Sequence, residues 1–415
     1  MTHRLTVVPA NAVSKVGGIK ADHQPINFID LKAQQARLRP QIEKRLSVIL
    51  DHGRYIAGPE IEALEEQLAE WTGARGAVAC ASGTDALVAP LLARGLVTGD
   101  AVFVPAFTYN ATANSVLLTG AAPVFVDIDP KTYTMCPRAL QAAIDGIKAE
   151  GRLQPRAVIP VDLFGLPADY DAITDIAARE DLYVLADGAQ SFGGQYGADR
   201  VGNIAPNTAV SFFPGKALGA YGDAGAMFTQ DEADIEAFTS IRWHGTDAHR
   251  KESVRVGFNG RMDSFQAAIL LEKLSIFDDE LAARRHIAAI YDRRLKGCVD
   301  LQQTGSKAVS GYGYYSVTTP HRDAVVERLK AAGVPTAIYY NTPLHQMPAF
   351  SAYAPRDGLP ALTQTAALSK TIFSLPMHPY LTEAQVVYIC DAVESAVSAS
   401  IEIHGADASG EASPA

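Results

Sequence analysis

Cysteine is scarce in this chain, and its four copies, Cys80, Cys136, Cys298 and Cys390, stand far apart with no C-x-x-C pair. That spacing indicates neither a disulfide framework nor a cysteine zinc site, and it fits a reducing cytoplasm. Long apolar runs are missing as well. None approaches the roughly 18 to 20 residues that span a bilayer, and the N-terminus carries no apolar run ahead of a small-residue cleavage site, so the chain reads as unexported. Positive charge is in deficit: 36 Lys and Arg stand against 46 Asp and Glu, a formal net charge of -10. This balance argues against non-specific nucleic-acid binding and against an anionic membrane surface as partner. An anionic substrate would need a local basic patch.

What is present suits a large globular enzyme. With 415 residues, 48% of them hydrophobic and 20% charged, the chain can bury a sizeable core in one large domain with a smaller one attached. Helical patterns run from Leu31 to about Leu50 and onward from Pro59, which sits where a first helical turn tolerates proline. From Arg75 the pattern changes to short apolar runs, A-V-A-C, A-V-F-V, P-V-F-V, A-V-I-P-V and L-Y-V-L-A, separated by helical stretches. Strands alternating with helices imply a mainly parallel sheet covered on both faces, with ligands beyond the carboxyl ends of the strands. We expect a flexible segment over 1–26, a large domain over 27–280 with a junction near 275–285, a small domain over 281–400 and a disordered polar tail over 401–415. The small domain should hold a strand at Y-G-Y-Y-S-V-T, a helix over 321–332 and a final helix from Thr382.

The chemistry concentrates in residues 184–229. One apolar run ends on Asp187, and a second apolar-to-glycine transition, S-F-F-P-G-K-A-L-G, carries Ser211 and Lys216. A carboxylate at the mouth of a buried strand followed by one lysine in a glycine-walled turn suits pyridoxal 5'-phosphate (PLP). The lysine would form a Schiff base, and the aspartate would keep the pyridine nitrogen protonated. The amine must be neutral to react, which burial or a neighbouring cation achieves by lowering its pKa. Gly215, Gly219 and Gly222 would let the cofactor approach the backbone. Taken singly, a strand-end Asp is often a turn former and a Lys is usually solvated.

The wording A-D-G-A-Q and S-F-F-P-G-K-A-L-G-A-Y-G-D-A-G-A resembles the DegT/DnrJ/EryC1/StrS family of PLP-dependent sugar aminotransferases, whose usual forms are E-D-x-A-Q and S-F-x-P-x-K-x-L-G-x-x-G-D-x-G-A. The resemblance extends over nearly the whole chain. Ala186 stands where the family often has Glu, and Lys216 stands where dehydratase members have His, so transamination is favoured. The resemblance implies the type I fold of PLP-dependent transferases: an α/β large domain with a mainly parallel seven-stranded sheet flanked by helices, plus a smaller α+β domain.

It also implies a set of contacts. Ser82, Gly83 and Thr84, in the turn A-S-G-T-D-A-L, would hold the PLP phosphate at a helix N-terminus, although Ser and Thr there are also ordinary caps. Tyr109 would stack on the pyridine ring, leaving Phe107 to the core. Gln190 would lie near the phenolic oxygen, and Ser211 would add a hydroxyl to the phosphate site. Asn259 would reach into the neighbouring subunit of a homodimer and bond its phosphate. Asp223 reads as a turn residue. Residues 241–261 hold five Lys or Arg and two His against two acids, so Arg242, His244 and Arg255 are candidates for an anionic substrate group, with a solvated loop as the plain alternative. His345, in P-L-H-Q-M-P-A-F, resembles the family histidine near the substrate entrance.

The expected reaction is ping-pong transfer from L-glutamate to a nucleotide-linked keto sugar. The continuous wording most resembles members that aminate C3 of a UDP-linked 3-keto-hexuronic acid. Members acting on dTDP-linked 3-keto-6-deoxy sugars share much of it. A PLP dehydratase or aldolase would keep Asp187 without needing glutamate, and a non-enzymatic sensor would need neither Asp187 nor Lys216.

Overall fold

The computed structural model describes residues 25–409, so the expected flexible segment falls, over 1–24, outside the described residues. Helix α1 (Leu31–His52) is capped by Asp30, whose Oδ1 accepts the Ala33 N–H at 3.0 Å. Helix α2 (Pro59–Thr72) begins with proline in its first turn and ends on Gly73 at φ 79°. The chain then alternates: β1 (Gly76–Cys80), α3 (Gly83–Ala93), β2 (Asp100–Pro105), α4 (Ala111–Leu118), β3 (Ala122–Val126), α5 (Pro137–Glu150), β4 (Gln154–Val158), α6 (Tyr170–Glu180) and β5 (Tyr183–Asp187). A two-residue hairpin, β6 (Gln195–Tyr196) with β7 (Asp199–Arg200), precedes β8 (Asn207–Ser211) and β9 (Gly225–Thr229).

Seven of these strands form one sheet in the order β1-β9-β8-β5-β4-β2-β3. It is mainly parallel, as expected, with β9 antiparallel between β1 and β8. The apolar runs explain the layering. On β2, Val102 and Val104 pack with α3 residues on one face while Ala101 and Phe103 pack with α5 and α6 residues on the other, the period-two alternation of a strand covered on both sides. Because β1, β2, β4, β5 and β8 run one way, the turns carrying Ser82, Thr108, Val161, Asp187 and Ser211 all open on the same edge.

After α7 (Glu232–Arg242) and α8 (Ser264–Leu274), the long helix α9 (Phe277–Leu295) leads away from the large sheet. Beyond it β10 (Asp300–Leu301), β12 (Tyr315–Thr318) and β13 (Ile372–Leu375) form a small antiparallel sheet, while β11 (Ala308–Val309) pairs back to β6. Helices α10 (Arg322–Ala331), α11 (Thr363–Thr371) and α12 (Glu383–Ser409) complete the fold.

Two features differ from the sequence reading. Leu344, Phe350 and Leu362 lie in the core of the large sheet beside Val104 and Phe125, so the chain beyond 281 returns to the first domain before finishing the second. Helix α12 also continues to Ser409, through residues assigned to a disordered tail. Once a helix is nucleated each added residue gains a backbone hydrogen bond, which lets it run on past Ser400.

Candidate active site

The sheet edge opens into a cavity of about 420 Å³ lined by, among others, Ser82, Gly83, Thr84, Tyr109, Asp187, Gln190, Ser211 and Lys216. Eight residues singled out by sequence thus meet in one space. They come from four separate connections, those after β1, β2, β5 and β8, and the fold alone brings them together.

Ser82 caps α3: its Oγ accepts the Asp85 N–H at 3.1 Å. The first-turn N–H groups of Gly83 and Thr84 have no intrahelical acceptor, so they face the cavity edge as anion donors reinforced by the helix dipole. The turn has room for glycine only. A Cβ on Gly83 would stand 2.6 Å from Ser211 Cβ, and one on Gly225 would stand 2.4 Å from Ser82 O. Gly219 and Gly222 each have close neighbours of their own. A Cβ on Gly219 would meet Pro214 O at 2.5 Å, and one on Gly222 would meet Gln266 Nε2 at 2.9 Å, so these two close the lysine loop on itself and on α8.

Asp187 ends β5 and is 4% exposed. Its Oδ2 accepts from Thr112 Oγ1 at 2.8 Å and its Oδ1 from the Ala189 N–H at 3.1 Å. Burial raises its pKa above the ordinary carboxylate value, while those two donors and the Lys216 charge pull it down. Lys216 stands in a loop closed by two backbone bonds, Lys216 N–H to Phe213 O at 2.9 Å and Ala220 N–H to Phe212 O at 2.8 Å. Burial lowers its amine to about 8 against the upward pull of Asp187. The amine therefore sits where a modest fraction is neutral at physiological pH.

Gln190 is oriented at both ends, its Oε1 accepting the Phe164 N–H at 2.7 Å and its Nε2 donating to Tyr340 Oη at 2.9 Å. Tyr109 is 57% exposed and lines the cavity, its ring centre 6.3 Å from that of Tyr340; Phe107 is buried in the core, as expected. Asp223, read as a turn residue, also lines the cavity.

The remaining candidates lie outside this cavity. Arg242 is buried against Glu65 Oε1 and the Ala79 carbonyl, and Glu65 in turn accepts the Ala79 N–H at 2.8 Å. Its guanidinium is committed to holding β1 on α2 and α7, which corrects its assignment to substrate within this chain. His244 and Arg255 are exposed on the basic loop, and Asn259, also exposed, accepts a bond from Arg261 Nε at 2.9 Å. His345 is half-buried on a short turn whose Leu344 N–H bonds Ala106 O at 3.0 Å, with its ring 6.4 Å from that of Phe125. Burial lowers its pKa.

Sequence reasoning missed Thr112, Val161, Phe213, Tyr314, Tyr339 and Tyr340, all of which line the cavity. Lys216 Nζ lies 5.9 Å from the centre of the Tyr314 ring. Among the described residues no group of His, Cys, Asp and Glu could hold a metal ion, and no helix is long and apolar enough to cross a membrane.

The residues fit PLP. A buried carboxylate stands where a ring nitrogen would need an anion, a lysine of lowered pKa faces the same space, and a glycine turn with free amides offers a phosphate seat. Comparisons agree. The chain is 45% identical over 369 residues to UDP-2-acetamido-2-deoxy-3-oxo-D-glucuronate aminotransferase of Pseudomonas aeruginosa, covering 89% of this chain and 99% of that one. It is 38% identical to UDP-N-acetyl-3-dehydro-alpha-D-glucosamine 3-aminotransferase of Acidithiobacillus ferrooxidans, over 89% of this chain and 97% of the relative. A crystal structure of a DegT DnrJ EryC1 StrS aminotransferase from Brucella abortus superposes with a TM-score of 0.87 at 45% identity, covering 89% of this chain and 99% of that one. Residues 37–394 match the DegT/DnrJ/EryC1/StrS aminotransferase family, and the chain belongs to that family of PLP-dependent enzymes.

Proposed function

We propose that this aminotransferase moves the amino group of L-glutamate to the C3 keto group of a UDP-linked hexuronic acid. The observation that carries the reading is the meeting of Lys216, Asp187 and the Ser82-Gly83-Thr84 turn in one cavity, in a chain so similar along its length to an enzyme named for such a 3-oxo sugar acid. PLP, when bound, supplies the electron sink that makes the donor's α proton removable.

The chain's own groups have separable tasks. Asp187, fixed by Thr112 and the Ala189 N–H, holds a proton on the ring nitrogen. Ser82, Gly83, Thr84 and Ser211 bind the phosphate, and Tyr109 holds the ring plane. Gln190 orients toward the phenolic oxygen from its anchor on Phe164. Lys216 Nζ, neutral in part because burial lowers its pKa, takes a proton from the donor's α carbon and later returns one, as base and then acid. Both substrates use this one space in turn, so ping-pong kinetics follow. His244, Arg255 and Asn259 are exposed on a loop away from their own cavity, which suits the assembly of a homodimer whose loops complete the neighbouring site. His345 remains a candidate entrance residue.

The test is turnover. Purified enzyme with L-glutamate should release 2-oxoglutarate in the presence of a UDP-linked 3-keto-hexuronic acid and much more slowly with a dTDP-linked 3-keto-6-deoxyhexose. Equal or greater turnover of the dTDP sugar would overturn the acceptor, and no 2-oxoglutarate with either would overturn the donor.

A further inference from the structure

A second buried carboxylate stands outside the cavity lining. Asp162 is 0% exposed. Its Oδ1 accepts from the Ala168 N–H at 2.9 Å and from Tyr170 Oη at 2.8 Å, and its Oδ2 accepts from Ser191 Oγ at 2.8 Å. Each donor comes from a different piece of chain: the loop after β4, the start of α6 and the turn after Asp187. Its backbone is tied to the same turn. The Asp162 N–H donates to Asp187 O at 3.1 Å, and the Asp187 N–H donates to Pro160 O at 2.8 Å. Two residues on, the Phe164 N–H holds Gln190.

We propose that Asp162 is a positioning residue: it locks the turn that carries Asp187 and Gln190, and its charge deepens the negative field in which Asp187 holds the protonated ring nitrogen. This rests on the reading of Asp187 given above. Among the described residues no Lys, Arg or His forms an ion pair with Asp162. The charged and titratable groups around the pair are the Tyr170 hydroxyl on the Asp162 side, and Lys216 and the Tyr340 hydroxyl on the Asp187 side, with Thr112 as a neutral donor. A buried carboxylate without a cation is disfavoured unless hydrogen bonds and a nearby positive charge compensate. Three donors supply the first, and a cationic ring nitrogen beyond Asp187 supplies the second. Burial and, less strongly, the Asp187 charge raise Asp162 to about 7, while its three donors pull it down.

Asp162→Asn tests this with little change of shape. The amide oxygen can still accept from Ala168 and Tyr170, and its NH2 can donate to Ser191 Oγ, whose hydroxyl can turn to Gly188 O, 3.4 Å away. The readouts are PLP titration of cofactor-free protein and the pH midpoint of the visible band of the PLP-bound form. Losing a nearby negative charge lowers the proton affinity of a cationic group, so the midpoint should fall by about half a unit or more. Ser191→Ala, which keeps the charge but removes one donor, should move it the same way by less, and it serves if the first variant folds poorly. An unchanged midpoint in both variants, with PLP affinity or melting temperature lowered, would make Asp162 purely structural and overturn the proposal. Asp187→Asn run beside them separates the two readings: a midpoint that ignores Asp187→Asn refutes the role given to Asp187, whereas one that moves with Asp187→Asn alone refutes only Asp162.

Discussion

Replacing Gly83 by alanine isolates the phosphate seat. The new methyl would stand 2.6 Å from Ser211 Cβ, 3.0 Å from its Oγ and 3.2 Å from its Cα. Carbon atoms rest about 3.5 to 4.0 Å apart, so the start of α3 and the end of β8 must separate by roughly 1 Å. Forcing a methyl into packed structure costs about 1 to 3 kcal/mol. The displaced groups are those proposed above to seat the phosphate, so most of that cost should appear in PLP binding, a loss of about 5- to 150-fold. Titration of the cofactor-free variant with PLP, followed by absorbance, measures it directly. Gly215→Ala is the matched control in the lysine loop. Its methyl would meet Ile29 Cδ1 at 3.3 Å and the Phe213 ring only at 3.9 Å, so PLP affinity should stay within about twofold. A Gly83→Ala protein that binds PLP as tightly as Gly215→Ala would refute the placement of the phosphate at this turn.

Two further outcomes follow from the charges. Because burial holds Lys216 at about 8, the rate at which cofactor-free protein captures PLP should rise with pH through that value and then level, as the amine loses its proton. Asp187 pulls the amine upward, so Asp187→Asn should shift the rise to lower pH; an unshifted rise would contradict the coupling, and rapid-mixing absorbance would detect either. Arg242→Met should lower stability, by on the order of 3 kcal/mol since it leaves Glu65 half-buried without its cation, and leave the KM for the sugar unchanged; a raised KM with unchanged melting would return Arg242 to the substrate.

The parts of the site that were legible in sequence are those in which local chain geometry and chemistry coincide. Asp187 and Lys216 sit at strand-to-turn transitions that apolar runs announce, and the Ser82-Gly83-Thr84 turn caps a helix whether or not an anion is present. Thr112 gave no such signal. It reads as one more residue at the start of α4, and its hydroxyl matters only because β2 lies next but one to β5 in the sheet, which brings that helix start over Asp187. Tyr340 is 150 residues from Gln190 in sequence, so their hydrogen bond exists only in the fold. Arg242 misled for the converse reason: a basic residue beside an exposed loop looks available, and only the packing of α7 on β1 commits it to Glu65. The return of Leu344 and Phe350 to the large core was hidden because an apolar residue does not declare which core it joins.

The most direct test of the central claim is an absorption spectrum of the PLP-loaded enzyme before and after L-glutamate, with Lys216→Ala beside it. The account predicts a band near about 420 nm that glutamate converts to one near about 330 nm, and a variant that cannot form the lysine-linked band. A wild-type band that glutamate leaves unchanged, or a Lys216→Ala protein with the same lysine-linked band, would contradict it.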